Sequence, residues 1–319
     1  MTGVDLYRER IAATDRLIDP HIRRTPVVRL QGEDFGIGSS SITAKLELLQ
    51  HSGSFKARGA FSNLVGANVP KAGVVAASGG NHGAAVAYAA RILGVPARIF
   101  VPSISSPAKV ARIASYGATI VQDGANYQEC LGLCETYAEQ SGAMDIHAYN
   151  TEVTLNGPGT LARELEEQAP ALDTILIAVG GGGLIGGMAS WYQSRVKIIG
   201  VEPATCNALH AALGAGAPLA IKPSGLAADS LGASSTGTLM FPIAQEHVDH
   251  VILISDDDIR NAQRFLWTTS QIVTEPGGAA AFASLLSGRY KPDGDERVGV
   301  IVCGANTPLE TFNTLMATA

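Results

Sequence analysis

The sequence predicts an α/β chain with mostly parallel sheets, built as a small domain inserted into a larger one. Three observations carry that prediction. Short apolar runs alternate with helix-like stretches along nearly the whole chain, as where Gly73-Val74-Val75-Ala76-Ala77 gives way to a pattern through Ala84, Val86, Tyr88 and Ala89. The 36 glycines provide the tight turns that such alternation needs. The length, 319 residues, suits two domains at about 150 residues each. The small domain is expected at 68–146, and the large one at 1–67 together with 147–319.

Composition removes several function classes. The chain is 46% hydrophobic and 16% charged, a compact rather than a disordered balance. A net charge of −6 argues against a nucleic-acid partner. No apolar run approaches the ~20 residues that span a bilayer, so no membrane association is expected. Met1 to Arg10 is polar and charged, unlike a secretory signal. The four cysteines are scattered. Cys130 and Cys134, four apart on a predicted helix, should share one face of a core, and no metal site is expected. A reducing cytoplasm is the simplest compartment.

In order, residues 5–18 predict an amphipathic helix with Leu6, Ile11, Leu17 and Ile18 on its apolar side, ended by Pro20. Arg23-Arg24-Thr25-Pro26 leads into an extended run. Residues 42–49 predict a strand, and a helix follows through Ala60, Phe61, Leu64 and Val65, with Ser54 as its N-cap and Lys56 in its first turn. After the strand at 73–77, a glycine-rich turn opens the next helix. Strands are expected at 98–101, 117–121, 174–179, 197–201, 251–254 and 298–302. Helices are expected at 108–116, 126–140 and 159–168, from Asp256, and from Glu275 to Leu286. Residues 203–245 are loop-rich.

Three stretches carry chemistry. In Ser52-Gly53-Ser54-Phe55-Lys56-Ala57-Arg58-Gly59, one lysine sits among small residues at a helix start. The helix's positive end disfavours a charged ammonium and lowers its pKa, as a Schiff-base nucleophile requires. Ser78-Gly79-Gly80-Asn81-His82-Gly83 joins a strand to a helix, a geometry that offers free amides to an anion. Gly180-Gly181-Gly182-Gly183-Leu184-Ile185-Gly186-Gly187 does the same after a second strand. Gly181, Gly183 and Gly186 satisfy the dinucleotide fingerprint, and Glu202 closes the next strand where a ribose acceptor would stand. A nicotinamide-dependent oxidoreductase is therefore one reading. It leaves Lys56 and the Ser78–Gly83 turn without a role. Four successive glycines also expose more amides than a pyrophosphate turn needs, enough to surround one terminal phosphate.

Together these stretches resemble the fold type II pyridoxal-phosphate enzymes, in particular the short threonine/serine dehydratases and their serine racemase relatives. The resemblance runs in order through nearly the whole chain. It implies two three-layer α/β/α domains, pyridoxal 5'-phosphate as cofactor, a small amino-acid substrate and a homodimer. Lys56 would carry the cofactor and act as the base at Cα. Phe55 would pack near the cofactor ring, and Asn81 would bond its phenolic oxygen. Gly180, Gly181, Gly182, Gly183 and Leu184 would hold the phosphate. Cys303 would face the pyridine nitrogen as a neutral partner, which suits β-elimination. Ser78, Gly79, Asn81 and His82 would form the substrate-carboxylate turn. The implied activity is water elimination from L-threonine or L-serine, with 3-hydroxyaspartate and phenylserine as other β-hydroxy amino acids to consider.

Departures from the family pattern refine this. Racemases of the group carry a serine where this chain has Gly79, and glycine cannot move a proton, so little racemisation is expected. Their divalent-metal positions correspond to Glu202, Cys206 and Ala208, which lack the second carboxylate that a hard cation favours; a weaker monovalent site is left open. His147-Ala148-Tyr149-Asn150 replaces a His-Pro-Phe-Asp type of segment beside the cleft. Gly157-Pro158-Gly159-Thr160 replaces Gly-Gln-Gly-Thr.

Overall fold

The computed structural model describes residues 3–38 and 40–317. The elements run α1 (Gly3–Ile18), β1 (Val27–Gln31), β2 (Ser41–Lys45), α2 (Lys56–Leu64), β3 (Val74–Ala77), α3 (Asn81–Leu93), β4 (Ala97–Val101) and α4 (Pro107–Ser115). They continue with β5 (Thr119–Gln122), α5 (Tyr127–Ser141), β6 (Met144–Asp145), α6 (Glu152–Gln168), β7 (Thr174–Ala178), α7 (Gly183–Tyr192) and β8 (Lys197–Pro203). Next come α8 (Ala208–Ala215), α9 (Ala228–Leu231), α10 (Met240–His247), β9 (His250–Ile254), α11 (Asp256–Ser270), α12 (Pro276–Leu286), β10 (Arg297–Ile301) and α13 (Leu309–Ala317).

The strands form two sheets. The larger has the order β1-β2-β10-β7-β8-β9 and is parallel except for the β1–β2 pair. The smaller, β5-β4-β3-β6, is wholly parallel and drawn from residues 74–145. Parallel strands covered on both faces need no polar alternation, and β7 accordingly is buried at every residue. Alanine-rich α12, buried along nearly its whole length, packs against β7, β8 and β9. Cys130 and Cys134 are buried together under the smaller sheet, as their spacing predicts. In α1, Ile11 and Ile18 are buried but Leu17 is exposed; the side chain of Leu6 lies outside the described residues.

Four expectations need correction. The strand expected to run to Leu49 stops at Lys45, because Glu47–Leu49 turns into a 3-10 helix that aims the buried Glu47 at Arg58. Ser54 does not cap α2: it is extended, and its buried hydroxyl has no hydrogen-bond partner. Helix α6 starts seven residues earlier than expected, at Glu152, with Thr151 as its N-cap and Pro158 inside it. Packing explains why the Gly-Pro-Gly run does not break it. A Cβ on Gly157 would stand 2.5 Å from Gly59 N in α2, and one on Gly159 would stand 2.6 Å from Ile11 in α1. Gly157 therefore lets α6 lie directly against the helix that carries Lys56, and Gly159 makes room for Ile11 of α1. Finally, the stretch expected to be loop-rich holds α8, α9 and the start of α10, helices too short for a periodic pattern to announce.

Candidate active site

Lys56 is the first residue of α2, and the chain delivers it from a pinned loop. The Gln50 side chain bonds both backbone groups of Arg23, at 2.9 and 2.7 Å. Ser52 holds a left-handed φ of 56°, rare for a residue with a side chain. Its carbonyl accepts from Asn306 Nδ2 (2.8 Å) and from Arg112 (3.1 Å), which keeps that strained turn in place. Phe55 N donates to the Cys303 carbonyl at 3.1 Å, so the loop after β10 is laced to the loop before α2.

Beneath α2 lies a buried ionic cluster. Arg58 donates to Glu47 (2.9 and 2.7 Å), to Glu164 (2.7 Å) and to Thr160 (3.2 Å), and Lys45 bonds Glu164 from the other side. Thr25, from the Arg-Thr-Pro segment, joins it through its hydroxyl to Glu47 (2.6 Å) and its amide to Glu164 (2.9 Å). Charges in such a place persist only when each is paired. The cluster therefore ties β1, β2, α2 and α6 into one block behind the lysine.

Lys56 Nζ donates to the Ala148 carbonyl at 2.9 Å. Burial lowers its pKa to about 8, with the Cys303 sulfur opposing the shift. The direction matches the sequence expectation, but the leading cause is desolvation rather than the helix terminus.

The glycine run meets the same pocket. Gly182, with φ +92°, precedes the first turn of α7. A Cβ on Gly181 would fall 2.5 Å from the Tyr149 ring, and one on Gly182 would fall 2.4 Å from Met240. The loop is thus packed tightly from behind, and Gly180 to Leu184 line a pocket shared with Phe55, Lys56 and Cys303. The leading amides of α7 have no acceptor inside the helix and suit an anion. Cys303 is buried, its Sγ 3.4 Å from the Gly277 carbonyl, and burial pushes its thiol well up, so it stays neutral.

Asn81 begins α3 and belongs to a polar group that sequence reasoning missed. Its Nδ2 donates to Glu275 (2.5 Å), and its Oδ1 accepts from Asn306 Nδ2 (2.6 Å). Burial raises the Glu275 carboxyl, while the bond from Asn81 works against that shift. In the sequence, Glu275-Pro276-Gly277-Gly278 reads as a helix start and resembles a dehydratase segment, but neither reading points to its contact with Asn81. Ser78 Oγ accepts from Gly80 N at 3.1 Å. His82 Nε2 donates to the Ile146 carbonyl at 2.7 Å, and burial, with Lys56 nearby, lowers its pKa to about 3. A neutral ring committed elsewhere leaves the amides of α3, not an imidazolium, for an incoming carboxylate.

Above these groups opens a cleft of about 280 Å³. It brings together Lys56, Ser78, Gly79, Asn81, His82, Gly180 and Gly181 with Pro102, Ile104, Tyr127, Tyr149 and Leu231. Glu202 is elsewhere: it is buried and accepts from Leu209 N (2.9 Å) and His210 N (2.8 Å), capping α8. Burial raises its pKa to about 7 against those two amides. The ribose acceptor that a dinucleotide reading requires is therefore already engaged. Among the described residues no group of three or more His, Cys, Asp or Glu side chains is placed to hold a metal, and no helix is long and apolar enough to cross a membrane.

Comparison with known proteins agrees with this geometry. Residues 18–304 match the family described as pyridoxal-phosphate dependent enzyme. The chain is 38% identical to the phenylserine dehydratase of Ralstonia pickettii, over 91% of this chain and 90% of that one. It is 35% identical to the L-threo-3-hydroxyaspartate ammonia-lyase of a Pseudomonas species, over 97% of this chain and 98% of that one. The structure of maize serine racemase superposes with a TM-score of 0.91 at 32% identity, covering 98% of this chain and 97% of the other. All ten strands of both sheets lie inside the matched span, and the chain belongs to the pyridoxal-phosphate dependent enzymes of fold type II.

Proposed function

We propose that the chain is an ammonia-lyase that eliminates water from L-β-hydroxy amino acids with an uncharged side chain: threonine and serine, and at the large end phenylserine. The observation that carries this reading is Lys56, an amine whose pKa burial lowers to about 8, at the floor of a cleft whose other wall is the uncapped start of α3.

The pocket fits pyridoxal phosphate by its own chemistry. The amides of Gly180 to Leu184 would hold a phosphate at the start of α7 without a cationic side chain. Lys56 offers an amine that is partly neutral at physiological pH. Phe55 would pack beside the ring, Asn81 would donate to its phenolic oxygen, and Cys303 would give the ring nitrogen a partner that cannot charge it. When bound, the cofactor acidifies the Cα–H bond of an attached amino acid. The chain's residues do the rest. The amides at the start of α3, with Ser78 and Asn81, orient the substrate carboxylate. Neutral Lys56 removes the Cα proton. The Cβ–OH bond breaks, and the oxygen leaves as water after taking up a proton. The released enamine hydrolyses to a 2-oxo acid and ammonium. Gly79 leaves the cleft wall without a proton-moving side chain of its own, which favours elimination over racemisation.

The uncharged side chain follows from the lining. Among the described residues bordering the cleft, Lys56 is the one ammonium or guanidinium, and Asp229 at the rim is already paired with Lys109. A second substrate carboxylate, as in 3-hydroxyaspartate, would find no unpaired cation to receive it, because Lys109 is engaged by Asp229. The apolar surface of Pro102, Ile104 (79% exposed), Tyr127 and Leu231 favours a substituent larger than methyl. Assembly as a homodimer in the cytoplasm goes with this reading by analogy with the family.

The test is borohydride reduction of the purified protein with peptide mapping, followed by a panel of L- and D-β-hydroxy amino acids read out as 2-oxo acid. The expected result is cofactor mass fixed on Lys56 and turnover of L-threonine, L-serine and L-phenylserine. Absence of 2-oxo acid from every member of the panel overturns the proposal.

A further inference from the structure

We propose that Ser105 is a specificity residue of the cleft: its hydroxyl fills the space a side chain at position 79 would occupy and donates to the carboxylate of the bound amino acid. This inference rests on the reading of the cleft above.

Position 79 lacks a side chain, yet the space is not empty. An ideal Cβ on Gly79 would lie 2.1 Å from Ser105 Oγ and 3.0 Å from Ser105 Cβ. The hydroxyl comes from a different segment, the turn between β4 and α4, and it borders the same cleft as Lys56. That turn is fixed by backbone bonds: Ser105 N donates to the Pro102 carbonyl and Ser103 N to the Gly124 carbonyl, both at 2.9 Å. Among the described residues, Ser105 Oγ has no hydrogen-bond partner. Nearby hydroxyls behave otherwise: Ser78 Oγ already accepts from Gly80 N, and Ser230 Oγ already accepts from Gly277 N at 3.0 Å. A positioned hydroxyl that is open to the cleft and uncommitted within the chain is free to bond a ligand. It stands beside the amides that begin α3, where the substrate carboxylate is placed, and a charge-assisted bond there is among the stronger ones a serine can make.

The small residue at 79 and the serine at 105 are then one device split between two segments. A Cβ at 79 collides with Oγ of Ser105, so each restricts the other.

The experiment is a spectral titration of the holoenzyme with L-alanine, which carries the carboxylate but no leaving group, and with ethylamine, which carries neither. Ser105→Ala should weaken L-alanine about tenfold and leave ethylamine within about twofold. Gly79→Ala should lower the thermal midpoint of the holoenzyme, and Ser105→Gly in the same chain should restore it. Equal weakening of both amines by Ser105→Ala, or none of either, overturns the assignment. So does a Gly79→Ala defect that Ser105→Gly leaves untouched. So does accumulation of D-enantiomer by the wild type that disappears in Ser105→Ala, since the hydroxyl would then be moving a proton. A holoenzyme that binds L-alanine through Ser105 but dehydrates nothing would overturn the proposed activity and leave this assignment standing.

Discussion

Lys56 stores a pH-dependent instability in the cofactor-free chain. Burial lowers its pKa from the ordinary 10.5 to about 8. Between those values the unfolded chain binds more protons than the folded one, so stability rises with pH across the window from about 8 to 10.5 and is lost as pH falls through about 8. At pH 7 the lowered pKa costs the folded apo chain about 3 kcal/mol, and at pH 9.5, where the folded amine is neutral, only about 1 kcal/mol. Lys56→Met removes that penalty and also the 2.9 Å bond to the Ala148 carbonyl, a loss of about 1 kcal/mol at any pH. The apo variant should therefore be more stable than the apo wild type by about 2 kcal/mol at pH 7, and the difference should shrink by about 2 kcal/mol by pH 9.5. Urea titration of both apo proteins at the two pH values reads this directly. The pH-dependent part is the sharper quantity, because the lost hydrogen bond cancels from it. A variant less stable than wild type at pH 7, or a difference that does not change with pH, would refute desolvation as the cause of the depressed pKa.

Three further outcomes follow from the same geometry. Lys56→Ala should abolish turnover, by at least about 10³-fold, because both the covalent anchor and the Cα base are removed; retention of normal turnover would sink the mechanism. Arg58→Met leaves Glu47 and Glu164 buried with only Lys45 between them, and should cost about 3–5 kcal/mol in a denaturant midpoint measurement. Gly182→Ala forces a side chain onto a φ of +92° and against Met240, so cofactor dissociation measured by dialysis should rise at least about tenfold, with activity recovered in excess pyridoxal phosphate.

Local chemistry was legible in the sequence wherever one segment contained all of it. Lys56 at a helix start, the bare amides of Gly180 to Gly183 and the turn at Ser78 each combine a strand, small residues and a helix within about a dozen positions. Periodicity and turn chemistry act at that range. The parallel character of the sheets also followed, from the alternation of strand and helix and the uninterrupted apolar runs of strands such as β7. The resemblance to the pyridoxal-phosphate enzymes joined those segments before any contact was known.

What remained for the tertiary structure was every property that depends on two distant segments meeting. The Gly157-Pro158-Gly159 run, which departs from the family pattern, shows no reason for its glycines until the Gly59 backbone and the Ile11 side chain are found where a Cβ would stand. Glu202 reads as a ribose acceptor until the amides of Leu209 and His210 are found on it. Glu164 lies far from Lys45, Glu47 and Arg58 in the sequence, and only their common burial forces the four to pair. Gly79 reads as a missing hydroxyl until Ser105, from another turn, is found in its place. Sequence alone sets which groups are available and how the backbone bends around them. Desolvation, charge pairing and steric exclusion are set by neighbours that the chain order does not name.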